Sequence, residues 1–480
     1  MQWLIRTLKT LRTGFGRVLR SAGRFLSFRR SLFASSILAM LFLSFVYGGA
    51  SIYFNLSAAP HLKRAFMGFD AWHRHGASSQ QFMGKPGETR LGVTCDDPSK
   101  TFDGFTLYTT TRDASALLLD MRGTVAHRWY KPFSQVWPHP TQVKNVVADD
   151  LIHWFRCRLF PNGDLLAVYQ TDADTPHGYG LAKLDKDSNL LWEYSGNVHH
   201  DVEVGDDGRI YALTHQISTE EVSGFTHIST PYVADYLVVL SPDGKELKKI
   251  SILGALQNTP FSLLLTSISA GGLQPPSARP PPKTPASEMQ AAMMLPTMEN
   301  GDVLHVNSIR VLNRAQATRF PQFKAGQVLL SLCYLNAIAV LDLPTRSIVW
   351  AAQGAWRFQH DAEFLDNGHL LVYDNVGLKN NTRVLEFDPV TQGYPWSYSN
   401  ENSIMFAARH RGTKQRLPNC NVLIVDPDAG RIFEVTAAKA LAWEYGCPVQ
   451  SDIPDAHAIV TGAWRYSSAE LKFLDGIRPR

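Results

Sequence analysis

His199-His200-Asp201-Val-Glu-Val-Gly-Asp-Asp-Gly208-Arg-Ile-Tyr-Ala-Leu213 returns 160 residues later as Gln359-His360-Asp361-Ala-Glu-Phe-Leu-Asp-Asn-Gly368-His-Leu-Leu-Val-Tyr373. In both copies a His-Asp pair enters a strand of alternating polarity, a turn containing glycine follows, and a second apolar strand leaves. Alternation of period two, broken by Gly, Asn and Asp, is the pattern of a β-hairpin. A hairpin that recurs at long intervals marks a repeat fold, in which each unit needs its neighbours to cover its faces.

The same pattern extends in both directions. Cys157-Arg-Leu-Phe-Pro161-Asn-Gly163 leads to Leu181-Ala-Lys-Leu-Asp185 and Trp192, and the His200 copy leads to Tyr236-Leu-Val-Val-Leu240 and Pro242-Asp-Gly244. Phe323-Lys-Ala-Gly326 leads to Ala337-Ile-Ala-Val-Leu-Asp342 and Trp350, and the His360 copy leads to Thr382-Arg-Val-Leu-Glu-Phe-Asp388 and Trp396. Gln415-Arg-Leu-Pro418-Asn-Cys420 leads to Gly430-Arg-Ile-Phe-Glu-Val435 and Trp443. With a fainter unit at Thr106 to Trp129 there are six. The expected fold is all-β, a six-bladed β-propeller of four-stranded antiparallel blades, in which radial closure leaves only short, protected edges. Five or seven blades are the neighbouring counts. A two-sheet sandwich is the rival, disfavoured by the regular restart of one motif. Cys420 stands where the other units have Gly163, Gly208 and Gly368, so that turn must change geometry or use Asn419 as its left-handed residue.

The N-terminus is of another character. Residues 1–30 carry eight basic side chains and no acid, so a whole-chain charge of +4 leaves −4 for the remainder. A body of that charge has no basic footprint for nucleic acid. Leu4, Leu8, Leu11, Phe15, Val18, Ala22 and Phe25 recur between the cations, which suits either a helix lying on an anionic leaflet or a disordered basic tail. From Ser31 to Leu62 there is no Asp, Glu, Lys or Arg. A single membrane helix over 31–54 is therefore expected, with a cleavable signal peptide as the rival. The basic lead places residues 1–30 in the cytoplasm and the body outside the inner (cell) membrane. A connecting segment is expected over 65–104 and the propeller over 105–480, with a Pro-rich insertion at 273–288 that sustains neither helix nor ladder. The five cysteines permit a disulfide in an exported chain, and Cys420 with Cys447 is a plausible late bridge.

Residues entering the first strand of a blade line one mouth of the central channel. His200 and His360 hold equivalent positions there, and His305 and His410 precede the opening strands of their own repeats. Imidazoles in such a place donate, accept or carry charge near neutral pH, and Asp201 or Asp361 would orient a ring. The plain alternative is that the His-Asp pairs lock blade geometry through backbone groups. A metal held by His199, His200, His360 and His410 is the weaker reading, since no close-spaced ligands exist beyond His199-His200. No metal and no cofactor are expected.

His200-Asp201 with its Gly208 turn, His305-x-Asn307-Ser308, Leu335 to Asp342, Gln359-His360-Asp361, Gln415 to Asn419 and Gly430 to Val435 together resemble the bacterial arylsulfotransferase family, from about Phe105 to Tyr445. The resemblance implies a six-bladed periplasmic propeller that moves a sulfuryl group from an aryl sulfate to a phenol, without a nucleotide donor, through a sulfated histidine. It implies that His200 and His360 surround the sulfuryl group and that Lys379 falls near the family's sulfate-binding arginine. His305, Asp201 and Asp361 join the substrate-binding set. Where the family carries its nucleophilic histidine in the last blade, this chain has Arg431, which stays protonated and is assigned to sulfate oxygens instead. His410 is then the nearest substitute nucleophile. Three outcomes stay open: another histidine attacks, transfer is direct, or the chain is a non-catalytic propeller that binds an anionic or aromatic ligand or an envelope protein.

Overall fold

In the computed structural model of the chain, the described residues are 40, 42–44, 46–47, 83–84, 90–143, 146–171, 178–268, 301–377, 381–399, 408, 410–449, 457–474 and 479–480. The chain divides into two units, residues 1–80 and 81–480. Most of the expected span 31–54, the Pro-rich stretch 273–288 and Lys379 lie outside the described residues. Among the described residues no helix is long and apolar enough to cross a membrane.

Each hairpin read from the sequence grows into a four-stranded antiparallel meander, and there are six, as the repeat count requires. Blade 2 runs His153–Leu159, Leu165–Gln170, Gly178–Leu184 and Leu190–Tyr194. Blade 3 opens with Val198–Val204, blade 4 with Val306–Val311, blade 5 with His360–Phe364 and blade 6 with Lys414–Arg416. Blade 1 joins Phe105–Thr110, Ser115–Leu119 and Val125–Tyr130 to an innermost strand from the far end of the chain, Val460–Tyr466. This closure ties the two ends of the propeller together, so blade 1 is complete only once the last strand has paired with Phe105–Thr110.

The hydrophobic core is a ring. Among the described residues it falls into six clusters, one between each pair of neighbouring blades, such as Leu371, Tyr373 and Val384 of blade 5 against Val422, Ile424 and Phe433 of blade 6. Middle strands are buried on both faces, which is why Val328–Leu332 is apolar at every position but Ser331, whereas the outermost strand Leu190–Tyr194 alternates in burial. The segment expected as a connector over 65–104 contributes Gly92–Asp96 as a fifth strand on blade 6, paired with Leu441–Gly446, and covers that edge.

The turn at Cys420 keeps the geometry of its glycine counterparts. Cys420 itself takes φ 68°, against 89°, 75° and 87° at Gly163, Gly208 and Gly368. Its N–H donates to Leu417 O at 2.9 Å, as Gly163 N–H does to Phe160 O at 2.9 Å. The suggested Cys420–Cys447 bridge is absent, and all five cysteines are free. Cys420 is exposed in the turn between the first two strands of blade 6, and Cys447 is buried just beyond its fourth, beside Tyr108 Oη at 4.0 Å. Those positions fall at opposite ends of the blade, beyond the reach of a disulfide.

Candidate functional site

The inner strands of successive blades lie side by side around the axis, so residues near their N-terminal ends converge on one mouth. His200 and His305 meet edge to face, with ring centroids 4.9 Å apart. His199 Nδ1 lies 2.7 Å from His200 Nδ1, the His199 ring sits 5.1 Å from that of His215, and His199 Nε2 is 3.3 Å from Asp235 Oδ1. His305 Nδ1 lies 2.6 Å from Asp302 Oδ2, and its ring stacks on Tyr334 at 4.6 Å. Phe155 packs its edge on His200, and Phe358 meets Tyr334, so the imidazoles share the mouth with aromatic rings. His200, His305, Phe358, Asp361 and Arg411 all adopt left-handed φ between 48° and 64°. Backbone strain of this kind in non-glycine residues is concentrated where a fold aims side chains at a site.

His360 is set differently from the others. Its Nδ1 lies 2.8 Å from Asn375 Oδ1 and 3.0 Å from Phe358 O. Both partners are oxygen acceptors, so Nδ1 carries the proton and Nε2 holds the lone pair. Burial, then the facing charges of His305 and His410, push its pKa down to about 3. The ring is therefore neutral across the neutral range. His153, the first residue of the inner strand of blade 2, is likewise pushed down to about 3, by burial and then by Arg411.

The carboxylates that follow the histidines are turned elsewhere. Asp201 Oδ2 takes Arg310 Nη1 at 2.6 Å and the Ile309 amide at 3.1 Å, while Arg310 Nη2 reaches Asp361. Asp361 Oδ2 accepts from the Lys414 amide at 2.8 Å, and Lys414 Nζ pairs with Glu363 at 2.9 Å. Arg158 pairs with Glu203 at 3.0 Å and with Asp201 at 3.4 Å, and Arg156 Nη1 donates to Thr461 O at 2.8 Å. Four bases and four acids thus form a belt from blade 1 to blade 6, and Gln415 with Arg465 closes it back to blade 1. Against the burial that would raise it, the charges of Lys414, Arg310 and Arg156 hold the Asp361 carboxyl well below the usual range.

The structure thus brings together His200, His305 and His360, with His410 exposed but close enough to act on the charge of His360. Asp201 and Asp361 do not orient the neighbouring imidazoles as expected: a left-handed residue and a shift of register at each His-Asp step send the carboxylate to Arg310. Arg431 begins the third strand of blade 6, two strands out from the axis, where its guanidinium engages Glu444 at 3.3 Å and Asp426 at 3.4 Å. No group of three or more His, Cys, Asp or Glu fit to hold a metal occurs among the described residues. The sequence reading passed over His153, His215, Tyr334 and Asn375. His215 and Asn375 were findable, because each stands seven residues after the turn glycine of its copy.

A six-bladed propeller with a histidine-rich, aromatic-lined mouth is a class of protein rather than a function. The arylsulfotransferase (ASST) family model matches residues 156–447, and the chain belongs to that family. Membership supports a sulfotransferase-like function. No curated protein matches the chain in sequence. Solved structures are similar in fold alone. A protein of unknown function from Bacteroides caccae is 10% identical over 76% of this chain and 99% of that one, at TM-score 0.45. A streptogramin B lyase is 10% identical over 80% and 97%, at 0.37, and apo AztD from Citrobacter koseri 9% over 75% and 99%, at 0.32.

Proposed function

We propose that this chain transfers a sulfuryl group from an aryl sulfate to a phenolic acceptor, without a nucleotide donor, and that His360 is the nucleophile. The observation that carries this reading is the state of the His360 ring: neutral, held by two oxygen acceptors at Nδ1, and left with a lone pair on Nε2. The Nε2 lone pair forms a bond to sulfur while the S–O(aryl) bond breaks and its electron pair departs with the aryloxide, which takes a proton. The acceptor oxygen then attacks the same sulfur, loses its proton, and the S–N bond returns its electrons to Nε2. His200 and His305 stand beside the reacting centre to shuttle these protons and to face the negative charge on the sulfuryl oxygens. Splitting one displacement into two is the usual gain of a covalent route. Lys379 is assigned to sulfate oxygens by the family resemblance. His410, exposed beside His360, tunes charge at the rim, and Arg431 supports blade 6.

The apolar run from Ser31 to Leu62 and its basic lead support an uncleaved anchor in the inner membrane with the propeller in the periplasm. Alkaline extraction of membranes and protease accessibility in intact cells and spheroplasts test that placement. The activity is tested by release of a chromogenic phenol from para-nitrophenyl sulfate, with and without a phenolic acceptor. Turnover abolished in His360→Ala and a sulfuryl adduct on His360 by peptide mass spectrometry are expected. Ligand binding with no turnover over a wide donor panel would replace the enzyme with a binding propeller.

A further inference from the structure

The second strand of blade 5, Leu370–Asp374, delivers Asn375 to the mouth, and every polar atom of that residue's side chain is committed. Nδ2 donates to Ala408 O at 2.9 Å and to Arg411 O at 2.6 Å. Two carbonyl acceptors on the nitrogen leave no choice of amide orientation, so Oδ1 must face His360 Nδ1, 2.8 Å away. The main chain is pinned as well, since Thr382 Oγ1 donates to Asn375 O at 2.8 Å and to Ala408 O at 3.2 Å. Asn375 is 1% exposed and Ala408 is fully buried, which makes the cradle rigid and dry. The titratable groups that face the ring with charge are His305 and His410. In blade 3 the equivalent position is His215, and there the ring neighbour of His200 is another imidazole, that of His199, whose ring His215 meets in turn.

We propose that Asn375 is a positioning residue for the sulfuryl transfer assigned above: its amide selects the Nδ1–H tautomer of His360 and aims Nε2 at the sulfur. An amide does this where a carboxylate would not. It accepts the Nδ1 proton without adding the negative charge that would draw a second proton onto the ring. Asn375 therefore keeps the nucleophile neutral as well as aimed.

The test uses the full chain and the variants Asn375→Leu and Asn375→Asp, with thermal melts to show that each folds. Formation of the sulfuryl adduct from para-nitrophenyl sulfate in a single turnover is followed against pH. Loss of the partner that sets a catalytic tautomer costs on the order of 10⁴-fold in the serine-protease triad. Phe358 O still holds Nδ1 here, so Asn375→Leu is expected to slow adduct formation by about 10- to 100-fold at neutral pH. Asn375→Asp is expected to introduce an acid limb shifted upward by about 1–3 pH units, as an adjacent carboxylate stabilises the imidazolium. Proton–nitrogen correlation spectra of the histidine rings supply a readout that needs no turnover: His360 shows the Nδ1–H form in the parent chain and a tautomer mixture in Asn375→Leu. Folded variants with unchanged tautomer and unchanged titration overturn the assignment, even if the parent chain transfers sulfuryl groups. A parent chain that forms no adduct refutes the sulfuryl reading, and the spectra then still decide the role of Asn375.

Discussion

The two copies of the His-Asp hairpin share a strand pairing and a bulge at the His-Asp step, but the left-handed residue is His200 in one and Asp361 in the other, and their side chains part company. In both, the carboxylate is turned into the belt, and a single guanidinium, Arg310, holds Asp201 of blade 3 and Asp361 of blade 5. The histidines diverge. His200 is bonded to the imidazole of His199, whereas His360 is bonded to an amide and a main-chain carbonyl. Two imidazoles in contact pass a proton between them, and a ring anchored by acceptors alone keeps its lone pair. On the proposed reading, one repeated motif serves proton handling in blade 3 and nucleophilic attack in blade 5, and the difference follows from the residues standing at the places of Gln359 and Asn375 and from the one-residue offset of the left-handed step.

The sharpest way to break that comparison is to delete each ring. His360→Ala is expected to lower kcat on the order of 10⁴-fold or more, as loss of a covalent nucleophile does. His200→Ala is expected to cost about 10²-fold, the scale of a general acid or base. Equal losses in a steady-state phenol-release assay would show that the copies have not diverged in role. The shared element is tested by Arg310→Met, which removes the one guanidinium that bridges the buried carboxylates of Asp201 and Asp361 and leaves each with its weaker partners, Arg158 and Lys414. Chemical denaturation should show a loss of about 3–5 kcal/mol, and Arg310→Lys should recover little of it, because one ammonium does not bridge two carboxylates as a guanidinium fork does.

Acid titration reads the buried imidazoles of blades 2 and 5. His153 and His360 are held near 3 in the folded chain and revert to about 6.5 on unfolding. A depressed imidazole pKa leaves stability untouched above 6.5. As pH falls from 6.5 towards 3, the unfolded chain takes up protons that the folded chain does not, so stability drops, by up to about 1.4 kcal/mol per pH unit for each ring. Urea denaturation from pH 7 to 4 should show this slope, and His360→Gln should reduce it by its own share. The smallest effect concerns the turn that departs from the glycine pattern. Cys420→Gly relieves a left-handed non-glycine residue and is expected to stabilise the fold by about 1 kcal/mol, read as a rise in melting temperature.

Much of this molecule was legible because its signals are local. Alternation between neighbours gave the strands, Gly163, Gly208 and Gly368 gave the turns, and their recurrence gave six blades with His200 and His360 on inner strands. His153 is not legible because the repeat pattern opens at Cys157, four residues inside the strand that begins at His153. The strand Val460–Tyr466 escaped because its partner, Phe105–Thr110, lies at the other end of the propeller, and no pattern of adjacent residues reports a pairing of that span.

The order of residues alone determined an all-β repeat and the mouth to which its histidines travel, since side-chain direction in a strand follows from a period of two. Tertiary structure decided what those residues became. Asp201 meets Arg310 across 109 positions of chain and His360 meets Asn375 across a hairpin, and each meeting sets a charge or a tautomer. Ionisation and proton placement depend on the groups that surround a side chain in space, and those groups are assembled by strand pairing within a blade and by packing of one blade on the next.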